Sequence, residues 1–296
     1  MRRRMLLSSL ALLPLATTAV RAATPLKAVA TFSILADMVR QVGQDRVAVT
    51  GLVPPDGDAH VYQPRPADLR AVAQAQLLVE NGLGLEGWMQ RMGSAAEFRG
   101  VRVIAAEKVT PRTMTEDGQV ATDPHAWQDP RNGVLYAQAI AAGLAKADPD
   151  HAEAYQDASA RVVAEIRKMD AWIEAQFAPI PPARRRIITT HDAFGYYGAR
   201  YGIELLAAEG LSTEAEPSAR AIAALIAQIK REQVHAVFLE NMTDPRIARM
   251  LAKESGAVLG GTVYSDALSP PNGPAPTYLA MLRHNTTLFA RAMTGT

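Results

Sequence analysis

The feature that most limits how this chain can fold is an alternation of two sequence periods, interrupted once. Short apolar runs at 27–31, 46–53, 77–80 and 101–105 alternate with helical segments at 34–42, 67–75 and 132–147, Ser33 standing as a plausible cap of the first helix. Strands that alternate with helices imply parallel sheets. The pattern breaks at 150–178, where Tyr155, Ala158, Val162, Ile166, Met169, Ile173 and Phe177 recur every three or four residues. That period defines one long amphipathic helix. Pro179, Pro181 and Pro182 end it, because proline cannot continue helical hydrogen bonding. The alternation then restarts, with strands at 186–190, 203–207, 236–239 and 257–260 and helices at 217–230, 245–255 and 277–293.

The expected fold class is therefore α/β: two parallel-sheet lobes joined by one long rigid helix. Residues 23–148 would form the first lobe, 149–180 the linker helix and 181–296 the second lobe. A helical linker acts as a stiff spacer and limits how far two lobes can open. A single α/β domain carrying one long helix is the plainer alternative. No sequence repeat relates the halves. With 296 residues, 48% of them hydrophobic, the chain can bury a core without staples.

Residues 1–22 read as a secretory signal. Arg2, Arg3 and Arg4 precede a short apolar run from Met5 to Val20, and a cut is expected after Ala22. An uncleaved anchor would need about 20 apolar residues, and this run is shorter and carries Pro14. Arg3-Arg4 also loosely fits a twin-arginine signal, which leaves the export route open. Removing four arginines and no acid takes the formal charge from +1 to −3. Such a charge has no footprint for nucleic acid. Cysteine is absent, so there is no disulfide, no N-terminal thiol to carry lipid, and no thiolate for a metal site. A free periplasmic protein is expected.

Six histidines fall into two groups. His60 lies just after a strand in a loop framed by Pro54, Pro55 and Pro64. His125 lies in Asp123-Pro124-His125-Ala126-Trp127-Gln128-Asp129-Pro130, just before a helix, and His191 directly follows a strand. Ligands of open parallel sheets bind beyond the carboxyl ends of the strands. Two imidazoles from one lobe and one from the other could thus meet at a cleft, with Asp266 as a fourth candidate after the last strand. Three imidazoles and one carboxylate suit zinc. His151, His235 and His284 read as solvated surface residues.

These stretches, together with 210–218, 238–241 and 264–269, resemble the solute-binding proteins of zinc and manganese ABC importers. The resemblance implies two lobes bridged by a rigid helix, with the ion buried between them and held by His60, His125, His191 and Asp266. The implied partner is the membrane permease of an ABC importer. Manganese-type members tend to carry glutamate at the third position; His191 there tips the metal toward zinc, with manganese and iron as alternatives. Many zinc members also carry a loop rich in histidine and acid before the second ligand. Residues 107–122 hold no histidine, which leaves open whether a periplasmic zinc metallochaperone is a second partner.

Tyr62 and Trp127 are expected to fill core near the ion. Asp58, Asp129 and Asp192 could orient an imidazole or cap a turn or helix. Glu214 and Glu216 could face the importer or a helix N-terminus. The expected function is capture and delivery of one metal ion by a monomer, not enzymatic. A zinc hydrolase is the rival, because a catalytic zinc keeps one position open; neither H-E-x-x-H nor G-x-S-x-G occurs. A metal-stabilised adhesin is the third possibility.

Overall fold

The apolar runs pair in register as two separate parallel sheets. The computed structural model describes residues 24–93, 97–116, 119–208, 210, 213–214 and 217–295, so the expected signal at 1–22 and Glu216 lie outside the described residues. In the first half, β1 (Leu26–Phe32) leads into α1 (Ser33–Gly43), and β2 (Val47–Val53) is followed by α2 (Pro66–Gln74). Then come β3 (Leu77–Glu80), α3 (Met89–Gly93) and β4 (Val101–Ile104). A hairpin of β5 (Arg112–Glu116) and β6 (Gln119–Asp123) precedes α4 (Pro130–Ala147) and the long α5 (Ala152–Phe177). The second half runs β7 (Arg186–Thr189), α6 (Gly195–Tyr201), β8 (Glu204–Ala207), α7 (Ala219–Glu232), β9 (Ala236–Glu240), α8 (Pro245–Ser255), β10 (Val258–Val263) and α9 (Tyr278–Thr294).

The two sheets have the same topology. Strand order is β2-β1-β3-β4 in the first and β8-β7-β9-β10 in the second, with every pair parallel. Each sheet therefore reverses order once, beside β1 and β3 in the first and beside β7 and β9 in the second. Crevices at such reversals open at the carboxyl ends of the strands. The duplication is invisible in the sequence because a parallel strand demands only apolar, mostly β-branched residues, which many sequences satisfy.

Helix α5 buries Tyr155, Ala158, Ser159, Val163, Ile166, Met169, Ile173 and Phe177. Val163 takes the place expected for Val162, which stays half-buried at the rim of the stripe. This face packs on α1 and α4 of the first half and on α9 of the second. Helix α9 also returns to the first half, where the Tyr278 amide donates to the buried Asp37 carboxylate at 2.8 Å. One apolar cluster consequently runs through both halves, from Leu26 to Met293. A smaller one, including Ile188, Leu225, Val237 and Leu251, joins the second sheet to α7 and α8.

Three elements differ from expectation. The β5–β6 hairpin occupies the interval that carried no strand pattern; its cross-strand register, not its composition, makes it a ladder. Strand β10 continues through Gly260-Gly261 to Val263, with an irregularity between Leu259 and Thr262 where Gly261 takes φ +106°. Glycine adopts that left-handed angle without steric cost, so it bends the strand and does not end it. Ser33 does not cap α1; its hydroxyl accepts the Leu268 amide at 2.9 Å. Ser218 and Asp129 are the side-chain caps of α7 and α4, accepting the amides of Ala221 and Arg131.

Ile166 is fully buried on α5. Ile166→Ala should lower stability by about 2–5 kcal/mol through lost burial and a residual cavity. Val162→Ala should cost less than half as much. Chemical denaturation of the two variants decides the register of the stripe: an equal or reversed order would contradict it.

Candidate metal centre

Four side chains from four loops converge where the two halves meet. His60 follows β2, His125 follows β6, His191 follows β7 and Asp266 follows β10. All four are buried: His125, His191 and Asp266 completely, and His60 with 7% of its surface exposed. One donor atom from each lies within 4.8 Å of the others. His60 Nε2 is 3.2 Å from His125 Nε2 and 3.0 Å from Asp266 Oδ2. His191 Nε2 is 3.2 Å from Asp266 Oδ2, and His125 Nε2 is 3.7 Å from Asp266 Oδ1. Tetrahedral ligands about 2.0–2.1 Å from zinc stand roughly 3.3 Å apart. Four of the separations, 3.0–3.7 Å, bracket that edge and the rest lie within 4.8 Å, so this group could hold one ion.

Each histidine has a carboxylate that accepts its own backbone N–H. Asp58 Oδ1 takes the His60 amide at 2.8 Å and Asp123 Oδ1 takes the His125 amide at 3.0 Å, both from two residues upstream. Glu240, the last residue of β9, takes the amides of Thr190 and His191 with Oε1 at 2.7 and 2.9 Å. Two of these carboxylates also reach the ring. Asp123 Oδ1 is 2.9 Å from His125 Nδ1, and Glu240 Oε2 is 2.6 Å from His191 Nδ1. The Asp123 hydrogen bond at Nδ1 fixes the His125 ring and turns its Nε2 lone pair toward the shared centre, whereas Glu240 Oε2 and His191 Nδ1 make a close ion-pair contact outside hydrogen-bond geometry.

Asp266 comes from the second half but is positioned largely by the first. Trp127 Nε1 and Gln128 Nε2 donate to the Ser265 carbonyl at 2.9 and 2.8 Å. The Asp56 amide donates to the Leu268 carbonyl at 3.0 Å. Trp88 Nε1 donates to the Ala59 carbonyl at 2.8 Å and so pins the His60 loop. Asn81 Nδ2 donates to the Pro124 carbonyl at 2.9 Å, beside His125. Its own amide donates to buried Glu86 at 2.6 Å. Burial pushes the Glu86 carboxyl up to about 7, against the bonds from Asn81 and Thr31 that favour the charged form.

The electrostatics follow from burying like-polarity donors together. Burial opposes charge on His125, but the Asp266 and Asp123 carboxylates outweigh it and raise the imidazole to about 9. His191 is likewise raised, with Glu240 and Asp266 overcoming burial. Asp266 is held well below the ordinary carboxylate range, the charges of His125 and His191 outweighing its desolvation.

The other candidates fall elsewhere. Trp127 is fully buried with its ring 5.4 Å from that of His125 and 5.0 Å from Phe32, so it is core that also walls the centre. Tyr62 turns away, donating to Asp68 at 2.7 Å and packing on Trp88. Asp129 orients no imidazole; it caps α4 and pairs with Arg131 at 2.6 Å. Asp58 touches the backbone of His60, not its ring. His151 pairs with Asp148, His284 meets the Thr262 carbonyl, and His235 is exposed; none joins the cluster. The ring partners Asp123 and Glu240 went unassigned in the sequence. The Asp-x-His spacing shared by 58–60 and 123–125 is a local signal for such a role, and an acid closing the apolar run 236–240 is another.

Two parallel-sheet lobes bridged by a long helix, with a buried donor cluster between them, define a solute-binding protein whose solute is a cation. The family described as "Zinc-uptake complex component A periplasmic" (ZnuA) matches residues 28–292, and the chain belongs to it. It is a family of solute-binding transport proteins, not enzymes. The manganese-binding lipoprotein MntA of Halalkalibacterium halodurans is 31% identical over 268 residues, covering 90% of this chain and 88% of that one. The iron-binding protein YfeA of Yersinia pestis is 29% identical over 266 residues, covering 90% and 85%. The periplasmic zinc-binding protein TroA from Treponema pallidum superposes with TM-score 0.86 at 27% identity, covering 91% of this chain and 99% of that one.

In chelator-treated protein, His125 should titrate near 9, as read by NMR of its ring nitrogens. That value lies above the roughly 6.5 of an unfolded histidine. The stability it contributes is therefore fully present below about pH 6.5 and is lost as pH rises through about 9. Melting temperatures of the treated protein should fall across that window, and less so in Asp123→Asn. A His125 midpoint at or below 6.5 would contradict this account.

Proposed function

We propose that this chain captures one Zn(II) ion in the periplasm with His60, His125, His191 and Asp266 and passes it to the membrane permease of an ABC importer. The observation that carries the reading is the convergence of four buried donors within 4.8 Å of one another, four of the contacts being 3.0–3.7 Å. Three imidazoles and one carboxylate form a nitrogen-rich set of borderline softness, which favours zinc over oxygen-seeking manganese. Four protein donors complete a tetrahedron and leave no open position for a reacting water, the opposite of a hydrolytic zinc. Export with removal of residues 1–22 after Ala22 supplies the compartment, and mass spectrometry of the periplasmic protein tests the cut. The lipoproteins among the relatives are named for a lipid anchor; this sequence has no cysteine to carry one. In this reading the protein is untethered and monomeric.

A second reading rests on one atom. Asp266 Oδ1 is buried without a hydrogen-bond partner. If both carboxylate oxygens bind, the ion becomes five-coordinate with more oxygen character, which suits manganese or iron. Elemental analysis of protein purified without added metal, with zinc and manganese in direct competition, separates the two. Manganese displacing zinc at equal concentration would overturn the zinc assignment.

His60→Ala should lose more affinity than the roughly 10–100-fold typical of an outer partner, and Glu240→Gln should fall within that range. Titration against a competing chelator measures both; wild-type affinity in His60→Ala would remove His60 from the site. Protons compete for the same nitrogens, so affinity should fall with falling pH, by about tenfold per unit for each proton displaced.

A further inference from the structure

Helix α6 begins with a glycine that its own backbone does not require. Gly195 is buried, and its φ lies outside the left-handed region where glycine avoids a steric cost. Alanine forms helix more readily. What glycine allows here is a close approach between the two halves. A methyl group placed on Gly195 would lie 2.6 Å from Asp123 Oδ2, and 3.1 and 3.3 Å from Nη1 and Cζ of Arg112. Arg112 starts β5 and Asp123 ends β6 in the first half, while Gly195 stands in the second half, shortly after His191.

Both sides of this contact are held in place. Asp123 is buried, and its Oδ1 meets the amide and the ring Nδ1 of His125 at 3.0 and 2.9 Å. A carboxylate is planar, so Oδ2 cannot turn aside without moving Oδ1. Helix α6 is fixed by its tyrosines. The Tyr196 hydroxyl accepts the Arg112 amide at 2.8 Å and donates to the Asp123 carbonyl at 3.3 Å. The Tyr197 hydroxyl meets that of Thr286 on α9 at 2.7 Å, and the Tyr201 hydroxyl donates to Asp170 on α5 at 2.7 Å. A second close approach follows one turn later, where a methyl group on Gly198 would stand 2.6 Å from the Ile203 carbonyl oxygen. The Arg112 side chain is half-buried and long, so its end can move; the Asp123 carboxylate is the rigid neighbour.

We infer that Gly195 is a positioning residue for metal capture: its missing side chain lets the Asp123 carboxylate seat against α6 while it holds the His125 ring. The inference rests on the metal reading above. A side chain at 195 pushes the carboxylate off the ring, and the ring then loses the contact that aims Nε2 at the other three donors. The carboxylate lies between a ligand of the first half and the helix that follows a ligand of the second, so both halves set its position. Side-chain size at 195 thereby governs affinity.

The test is zinc affinity, by titration against a competing chelator, in wild type, Gly195→Ala, Asp123→Ala and the double variant. Gly195→Ala should bind roughly 10–100-fold more weakly, the range for loss of an outer partner, and Asp123→Ala should fall in the same range. Without the carboxylate the added methyl group has nothing to displace, so the double variant should bind no more weakly than Asp123→Ala. Chelator-treated proteins give a second readout that needs no metal. There Gly195→Ala should lower the melting temperature when Asp123 is present and not when it is absent. Wild-type affinity in Gly195→Ala would overturn the inference. So would losses that multiply in the double variant, or an equal drop in melting temperature in both backgrounds, either of which would assign the effect to general damage of α6. A wild type that binds no zinc would instead overturn the metal assignment, and the role of Gly195 in capture with it, whichever way the melting temperatures fall.

Discussion

Everything near the centre of this molecule answers to one electrostatic problem: three imidazole nitrogens and a carboxylate, all buried, face each other within 4.8 Å. Four lone-pair donors aimed at one point repel unless something positive sits among them. A proton can relieve one contact at a time, which is why His125 and His191 bind protons so firmly and Asp266 gives one up so readily. A divalent cation relieves all of them together. The protein therefore stores its preference for a cation in the geometry of its folded state, and proton competition follows from the same geometry.

Holding such donors in place requires that no loop relax. The backbone answers this with one device used three times, a carboxylate on the amide of each histidine. That contact fixes the loop, and a second oxygen is left over. At Asp123 the same oxygen also meets the ring and selects the tautomer, at Glu240 the second oxygen lies against the ring, and at Asp58 the second oxygen reaches across the cleft. Asp266 is held by carbonyl and amide contacts of its neighbours to Trp127, Gln128, Asp56 and Ser33, all from the first half. The site belongs to neither half alone.

Much of this was legible in residue order. Period alone marked α5, because a 26-residue helix repeats its apolar stripe many times and one displaced position, Val163 for Val162, does not blur it. The four residues that converge were singled out because proline-framed loops at strand ends are where an α/β protein places ligands, and the family resemblance fell on the same residues. What stayed hidden has a common cause. The β5–β6 hairpin, the passage of β10 through Gly260-Gly261, and the hydroxyl of Ser33 are fixed by partners far away in the chain. Asp129 and Asp123 stand six residues apart in one motif with the same local chemistry, yet one caps a helix and the other orients a ring. Only the histidine two residues after Asp123, where Asp129 has Arg131, separates them in the sequence.

The duplicated sheets suggest a hinge protein whose lobes clap together, but the packing argues otherwise. Helix α5 touches both halves along its buried face, and α9 leaves the second sheet to dock on α1, where its first amide is bound by buried Asp37. The apolar cluster that results is continuous across the cleft. Opening the lobes as rigid bodies would expose part of that cluster, at about 25 cal/mol for every Å² of apolar surface. Breaking a few loop hydrogen bonds costs only about 1 kcal/mol each. Of the two routes by which a buried ion could be let go, breaking the hydrogen bonds of the loop that carries His60 is the less expensive. A fold whose core holds the lobes together leaves the loops around the donor cluster as its less costly moving parts.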